Sequence, residues 1–393
     1  MPRNIVIYRE NLLAYSETFI LNQAESLQNF RPYYVGTRRL NGLSLPEDRS
    51  VVLSSGTVVG RAEELLYKFS GFAPRLHARL RQIRPALIHA HFGSDGVMAL
   101  PLARRLRVPL LVTFHGYDAA MHDEALLALP NLRDRRLVQQ RPQLIREATL
   151  FLAVSEHIRR LLIAKGFPAE KIVTHYNGVD THRFDYRDPA QASDLPPLVL
   201  FVGRMVEKKG VADLLRAMQQ VRAQLPEARL VLLGDGPLLT ELQTLAGHLG
   251  LPCDFMGRQS VPEIQQWMAQ ASLLCVPSVT AQNGDTEGLP TVVLEAQACG
   301  LPVVATEHAG IPEAVQHEVN GLVVPERDPA QLAAALTRLL TDAPLRQRFG
   351  QAARREVVRR FDAGNQVRVL EQLYTRVIGQ QLPSAAAQRS VTS

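Results

Sequence analysis

Eight short apolar runs, four in each half of the chain, most tightly limit what it can fold into. In the first half they are NIVIY (4–8), ALIHAHF (86–92), PLLVTFHG (109–116) and LFLAVS (150–155). In the second they are PLVLFVGR (197–204), ARLVLLGDG (228–236), ASLLCVPS (271–278) and LPVVAT (301–306). Longer amphipathic stretches separate them. That alternation is the pattern of an α/β protein whose parallel strands are buried under helices. At 393 residues the chain exceeds one ordinary core, so the two sets of runs read as two doubly wound domains. We place the first at 1–187 and the second at 188–365, joined through RDPAQASDLPP (187–197), which has linker composition. A helix at 366–380 follows, expected to cross back to the first domain, and 381–393 reads as a flexible tail.

Charge is spread unevenly. Residues 1–190 hold 26 lysines and arginines against 18 aspartates and glutamates, while the remainder is slightly acidic. A basic first half suits an anionic partner, either a membrane surface or a phosphorylated acceptor. Nucleic acid is not expected, because aromatics are few and are not interleaved with the arginines. No run approaches the 18 uncharged apolar residues of a membrane span, and MPRNIVIYRE enters a strand without the apolar core of a signal peptide. Three scattered cysteines make neither a disulfide framework nor a metal spacing. The expected location is the cytoplasm, peripheral on the inner face of the membrane. One stretch suits that surface: YKFSGFAPRLHARLRQIR (67–84) puts Phe69, Phe72, Leu76, Leu80 and Ile83 on one helical stripe beside Arg75, Arg79 and Arg84. A plain core-facing helix fits the same pattern.

Open parallel sheets bind ligands at the carboxyl ends of their strands, and two such domains facing each other would share a cleft there. The chemistry-bearing residues cluster at those ends. LFVGRMVEKKG (200–210) follows its strand with Gly203, Arg204 and Lys209, cations able to converge on a diphosphate. DTEGLPTVVLEAQACG (285–300) has Glu287 before a Gly288-Leu289-Pro290 turn and Glu295 eight positions on. Pro290 suits the first position of a helix, and the apolar residues after it demand burial. The open N–H groups of that helix start would be an anion site between two carboxylates. Taken alone, the stretch equally fits a core helix with one incidental glutamate.

VTFHGYD (112–118) ends a strand with His115 beside a glycine that lets a ligand approach the backbone. HAHFGSDG (89–96) carries two histidines with no third metal ligand in view, which favours a structural or substrate-edge role. LLGDGPL (232–238) reads as well as an ordinary strand–helix corner, and YNGVD (176–180) as a turn at the domain crossover.

The succession of HG–x–D, NGVD, GR–x4–KG, GDGP and E–x7–E with GLP resembles the retaining nucleotide-sugar glycosyltransferases of family 4, over residues 85–325. SETFI (16–20) and HAHFG resemble their bacterial exopolysaccharide or colanic-acid branch. The resemblance implies the GT-B fold, two Rossmann-like domains facing across a cleft. It implies a UDP- or GDP-linked sugar as donor substrate, no cofactor, no metal, and a saccharide or lipid-linked acceptor. Carried over residue by residue, Arg204 and Lys209 would hold the donor diphosphate and Glu295 the ribose. Glu287 and His115 would contact the transferred hexose. Many relatives carry a glycine-rich loop after their first strand, whereas this chain has RENLLAYSETF.

The mechanism follows from the charges. Negative charge grows on the leaving diphosphate, where Arg204, Lys209 and the helix dipole would stabilise it. No D-x-D pair stands at a strand end to hold a metal there. The resemblance implies a front-face, ion-pair-like route, so no covalent nucleophile is assigned. Two rivals share the architecture: a sugar-nucleotide epimerase, which needs no acceptor, and a non-catalytic nucleotide-sugar-binding subunit.

Overall fold

The computed structural model describes residues 2–40, 42–54, 57–184 and 197–380. They gather into two compact units. The first takes Met1–Val154, Ile158–Tyr176 and Gly364–Ser393, and the second Ser155–His157 and Asn177–Ala363. The boundary expected after residue 187, the linker up to Pro197, and the tail 381–393 lie outside the described residues.

In chain order the first unit has strands β1 (Arg3–Tyr8), β2 (Asn11–Leu12), β3 (Phe30–Gly36), β4 (Arg38–Arg39) and β5 (Ser50–Val52). There follow β6 (Ile88–His91), β7 (Leu110–Phe114), β8 (Leu150–Ala153) and β9 (Ile172–Thr174). Seven make a parallel sheet in the order β5-β3-β1-β6-β7-β8-β9, and β2 pairs with β4 separately. The second unit has β10 (Leu198–Val202), β11 (Arg229–Leu233), β12 (Asp254–Gly257), β13 (Leu273–Val276), β14 (Val303–Thr306) and β15 (Gly321–Val324). They form a parallel sheet in the order β12-β11-β10-β13-β14-β15. Each sheet therefore reverses its winding at one seam, between β1 and β6 and between β10 and β13. Outside the carboxyl ends of those two pairs lie the crevices where such sheets bind ligands.

The helix Ala363–Gln380 belongs to the first unit from Gly364 onward. Val367, Leu370, Tyr374 and Val377 recur at helical spacing and pack with Ile5, Ile7, Tyr34, Leu111 and Leu152. Each such side chain is worth roughly 1.5–3 kcal/mol of burial. Glu371 anchors the contact by accepting from the amides of Gln28 and Asn29, both at 2.7 Å.

The basic amphipathic stretch is not one helix. A helix Val58–Ser70 stops at Gly71, whose φ of 67° is left-handed, and a second helix, Pro74–Ile83, begins with Pro74 in its first turn. Leu76, Leu80 and Ile83 turn into the core, so the expected five-residue stripe is split. The exposed apolar face lies on the first helix instead: Val58, Val59, Leu65, Leu66 and Phe69 point outward, Phe69 being 74% exposed. Glu63 and Glu64 of the same helix point inward, paired with Arg75, Arg38 and Lys68. Among the described residues no helix is long and apolar enough to cross a membrane.

Candidate functional site

The second unit gathers its polar side chains at the seam between β10 and β13. β10 runs out into Gly203 and Arg204, and a single 3-10 turn, Glu207–Lys209, leads to Gly210. Gly210 has φ 62°, and a Cβ there would lie 1.8 Å from the Pro277 carbonyl, so only glycine brings this loop against the end of β13. The turn aims both lysines at residues 285–287, which precede the helix Thr291–Ala298. Lys209 Nζ lies 2.7 Å from Glu287 Oε1, and Lys208 Nζ donates to Asp285 Oδ1 at 3.0 Å and to the Thr286 carbonyl at 3.1 Å. Ser278, just past β13, donates to Glu287 at 3.3 Å. Burial would raise the Glu287 carboxyl, but Lys209 and Lys208 overcome it and hold the group down at about 2. Burial prevails at Asp285, which is raised despite Lys208.

Gly288, Leu289 and Pro290 are buried between Glu287 and the helix Thr291–Ala298. Pro290 is the N-cap, with extended ψ of 122°, rather than the first helical residue. The helix start has no side-chain cap, because proline offers no side-chain acceptor. As its composition demands, this helix is buried nearly all round. Glu295, in its second turn, is mostly buried, and its carboxylate has no hydrogen-bond or ion-pair partner among the described residues. Burial pushes it up to about 7, only partly offset by Arg183. Arg204 is exposed, and its guanidinium forms no ion pair among the described residues.

Several contributors were not picked out from the sequence: Lys208, Ser278, Asp285, His308 and Glu326. His308 follows β14 and is 1% exposed. Its Nε2 accepts the Glu287 amide at 3.1 Å, and its Nδ1 lies 2.6 Å from Glu326 Oε1. The Gly310 amide donates to the Gly288 carbonyl at 3.1 Å. The sequence signal for His308 is EHAGIPE (307–313), a stretch at the end of a strand.

In the first unit the sequence-selected His115 stands at the end of β7. Its Nε2 lies 3.1 Å from His91 Nδ1, and its buried Nδ1 has no hydrogen-bond partner among the described residues. Burial and the Arg9 charge hold its pKa well below the usual histidine value. Asp118 pins the surrounding loops by accepting from the amides of Gly93, His115 and Gly116 at 2.8, 3.1 and 3.0 Å. Arg9, which the sequence reading passed over, pairs with Glu17 of SETFI and with Asp95, its guanidinium 4.4 Å from the Phe92 ring centre. His89 spends both ring nitrogens inside the unit, on Tyr374 Oη at 2.6 Å and Thr113 Oγ1 at 2.7 Å, so its role is structural. Among the described residues no three His, Cys, Asp or Glu side chains gather as a metal site.

Two Rossmann-like units of this strand order, with polar groups at the strand ends, define the GT-B class of glycosyltransferase folds. Residues 16–183 match the family described as Glycosyltransferase Family 4, and residues 183–356 that described as Glycosyl transferases group 1. The chain belongs to these group 1, family 4 glycosyltransferases. It is 31% identical over 276 residues to the GDP-mannose-dependent alpha-(1-6)-phosphatidylinositol monomannoside mannosyltransferase of Mycolicibacterium smegmatis, covering 67% of this chain and 70% of that one. It is 34% identical over 258 residues to the amylovoran biosynthesis glycosyltransferase AmsK of Erwinia amylovora, covering 63% and 60%. The chain spans 59% to 62% of the length of the relatives named for colanic acid and amylovoran biosynthesis. The crystal structure of Anabaena HepE in complex with UDP superposes with a TM-score of 0.76 at 21% identity, covering 95% of this chain and all of that one.

Proposed function

We propose that the protein transfers a hexose-type sugar from a UDP- or GDP-linked donor to a saccharide or lipid-linked acceptor, retaining anomeric configuration, in exopolysaccharide assembly. One observation carries the reading. At the seam of the second sheet, Lys209 and Glu287 meet in front of an uncapped helix start, with Glu295 unpartnered behind it. Basic side chains and open N–H groups suit a diphosphate, and the flanking carboxylates suit hydroxyl groups. The named relatives are a mannosyltransferase dependent on GDP-mannose and an amylovoran glycosyltransferase, which supports both the donor class and the pathway class.

In this reading Arg204, Lys209 and the helix dipole stabilise the charge that grows on the departing diphosphate, without a metal. Glu295 accepts from the ribose hydroxyls, and Gly203 lies beside the Lys209 stem, where a Cβ would come to 3.1 Å from the Phe201 ring. Gly288, Leu289 and Pro290 set the approach to the helix start. Glu287 bonds the sugar hydroxyls, and His115 bonds the sugar near its reacting carbon.

The same reading puts the protein at an anionic membrane surface on the cytoplasmic side. The support is the exposed apolar face of Val58–Ser70, together with the exposed arginines Arg61, Arg75 and Arg79 on this helix and the one after it.

The test is a thermal-shift screen of UDP- and GDP-sugars, since a donor bound by the native state raises the melting point. Product analysis with the donor that binds comes next. Transfer to a saccharide or lipid-linked acceptor with the anomeric configuration retained is expected. Release of an epimerised nucleotide sugar without an acceptor, or binding without turnover, overturns the proposal.

A further inference from the structure

Glu287 is held at two levels. Its side chain is gripped by Lys209, but its backbone is gripped by a residue from a different strand end. The Glu287 amide donates to His308 Nε2, so that nitrogen carries no proton and the ring proton must sit on Nδ1. There it meets Glu326, whose carboxylate also accepts the Thr280 amide at 2.8 Å. The ring is thus fixed in one tautomer by a donor on one edge and an acceptor on the other. Beside it, a Cβ on Gly310 would lie 2.1 Å from the Gly288 carbonyl, so the His308–Gly310 loop packs directly on the turn before the helix.

We propose that His308 is a positioning residue: as the neutral Nδ1–H tautomer it carries the fixed point at Glu326 across to the Glu287 backbone, and so sets where the Glu287 carboxylate stands for the donor sugar. The role rests on the functional reading above, while the hold itself does not. Lys209 cannot fix that place by itself, because a lysine stem has four rotatable bonds whereas the imidazole is a rigid two-sided bridge. Loss of the His308 bridge is expected to free the loop by a small displacement, which is enough to misplace a group that must meet a reacting sugar.

Two substitutions separate the two edges of the ring. His308→Asn keeps a donor near Nδ1 for Glu326 and loses the acceptor, while His308→Gln brings an amide oxygen to the place of Nε2. Exchange of the Glu287 amide, followed by mass spectrometry on the segment 285–290, is expected to quicken about tenfold in the Asn variant and about twofold or less in the Gln variant. With the UDP- or GDP-sugar that the wild type turns over, the Asn variant should lose kcat about tenfold or more. Its donor KM and its Kd for UDP or GDP should stay within about threefold, and the Gln variant should recover most of kcat. Glu326→Gln is the second variant should either ring replacement fail to fold, with a smaller loss of kcat in the same direction. Unchanged amide exchange in the Asn variant overturns the inference. Faster exchange with undiminished kcat, or equal kcat losses in the Asn and Gln variants, overturns the positioning role and leaves His308 structural. A wild type that binds neither nucleotide and turns over no nucleotide sugar overturns the functional reading and the positioning role with it, while the exchange result still decides the hold.

Discussion

Lys209 Nζ lies 2.7 Å from Glu287 Oε1, so the proposed diphosphate cation and the proposed sugar-binding carboxylate are one ion pair. Arg204 and Lys209 were paired in the sequence by their shared loop, and Glu287 with Glu295 by their shared helix start. Tertiary structure instead joins a residue of the first loop to one of the second.

Breaking that pair from either side should give unequal results. Lys209→Met leaves a buried carboxylate with Lys208 as its remaining cation, and should cost about 3 kcal/mol of stability at pH 7 together with most of the turnover. Because Glu287 is held down at about 2, its stabilising contribution is present above the ordinary carboxylate range and fades as pH falls towards 2. Adding Glu287→Gln to Lys209→Met should restore melting temperature but not activity. A Lys209→Met protein as stable as the wild type would show that the pair carries nothing.

Glu295 should reveal itself through pH. Its folded value of about 7 lies above its unfolded one, so the stability it contributes is full in acid and is lost as pH rises through 7. Glu295→Gln should therefore be more stable than the wild type at pH 8, by roughly 2 kcal/mol after allowance for its partial exposure, and as stable as the wild type at pH 4. The same substitution should weaken UDP or GDP binding at pH 8 by roughly ten- to a hundredfold, through loss of a charge-assisted bond to the ribose. Glu287→Gln should leave that affinity nearly unchanged. Equal weakening by the two variants would sink the division of roles between the glutamates.

If, as proposed, side-chain cations and the helix start stabilise the leaving group in place of a metal, turnover should survive excess chelator within about twofold. Initial rates with and without chelator check this. Loss of activity that magnesium or manganese restores would refute it.

Sedimentation with vesicles containing anionic lipid tests the membrane face. Binding should weaken with added salt and with Arg75→Gln and Arg79→Gln together, since both act on screened surface charge. Leu65→Ser with Phe69→Ser should abolish most of it without lowering stability, because both side chains are exposed. Full binding by the Leu65→Ser, Phe69→Ser protein would move the contact elsewhere.

Much of the fold is written in local composition. The strands that sequence alone picks out, such as β6, β7, β10 and β13, are buried on both faces, and burial of that kind forces continuous apolar runs. Flanking strands escaped notice for the same reason. β3 carries Arg31 and Pro32, β5 is only three residues long and half-buried, and β12 alternates exposed and half-buried positions. The buried helix after Pro290 was legible because Thr-Val-Val-Leu cannot face water.

What local sequence cannot carry is which loops meet. Gly203, Lys209 and Glu287 are singled out by sequence because strand ends in such sheets are where ligands bind. His308 and Glu326 are not, because a histidine and a glutamate eighteen positions apart have no periodic relation to Glu287. Sheet order supplies that relation: β14 lies between β13 and β15, so the loops after these neighbouring strands converge at one edge. The split of the 67–84 stretch has a similar cause. Helical spacing is common to Phe69 and Leu76, but Gly71 turns the chain between them, and packing then decided which side chains face the core and which face water. Sequence determined the elements, their burial and the chemistry at strand ends. Tertiary structure decided the partners, because hydrogen bonds and ion pairs form between neighbours in space, whatever their separation along the chain.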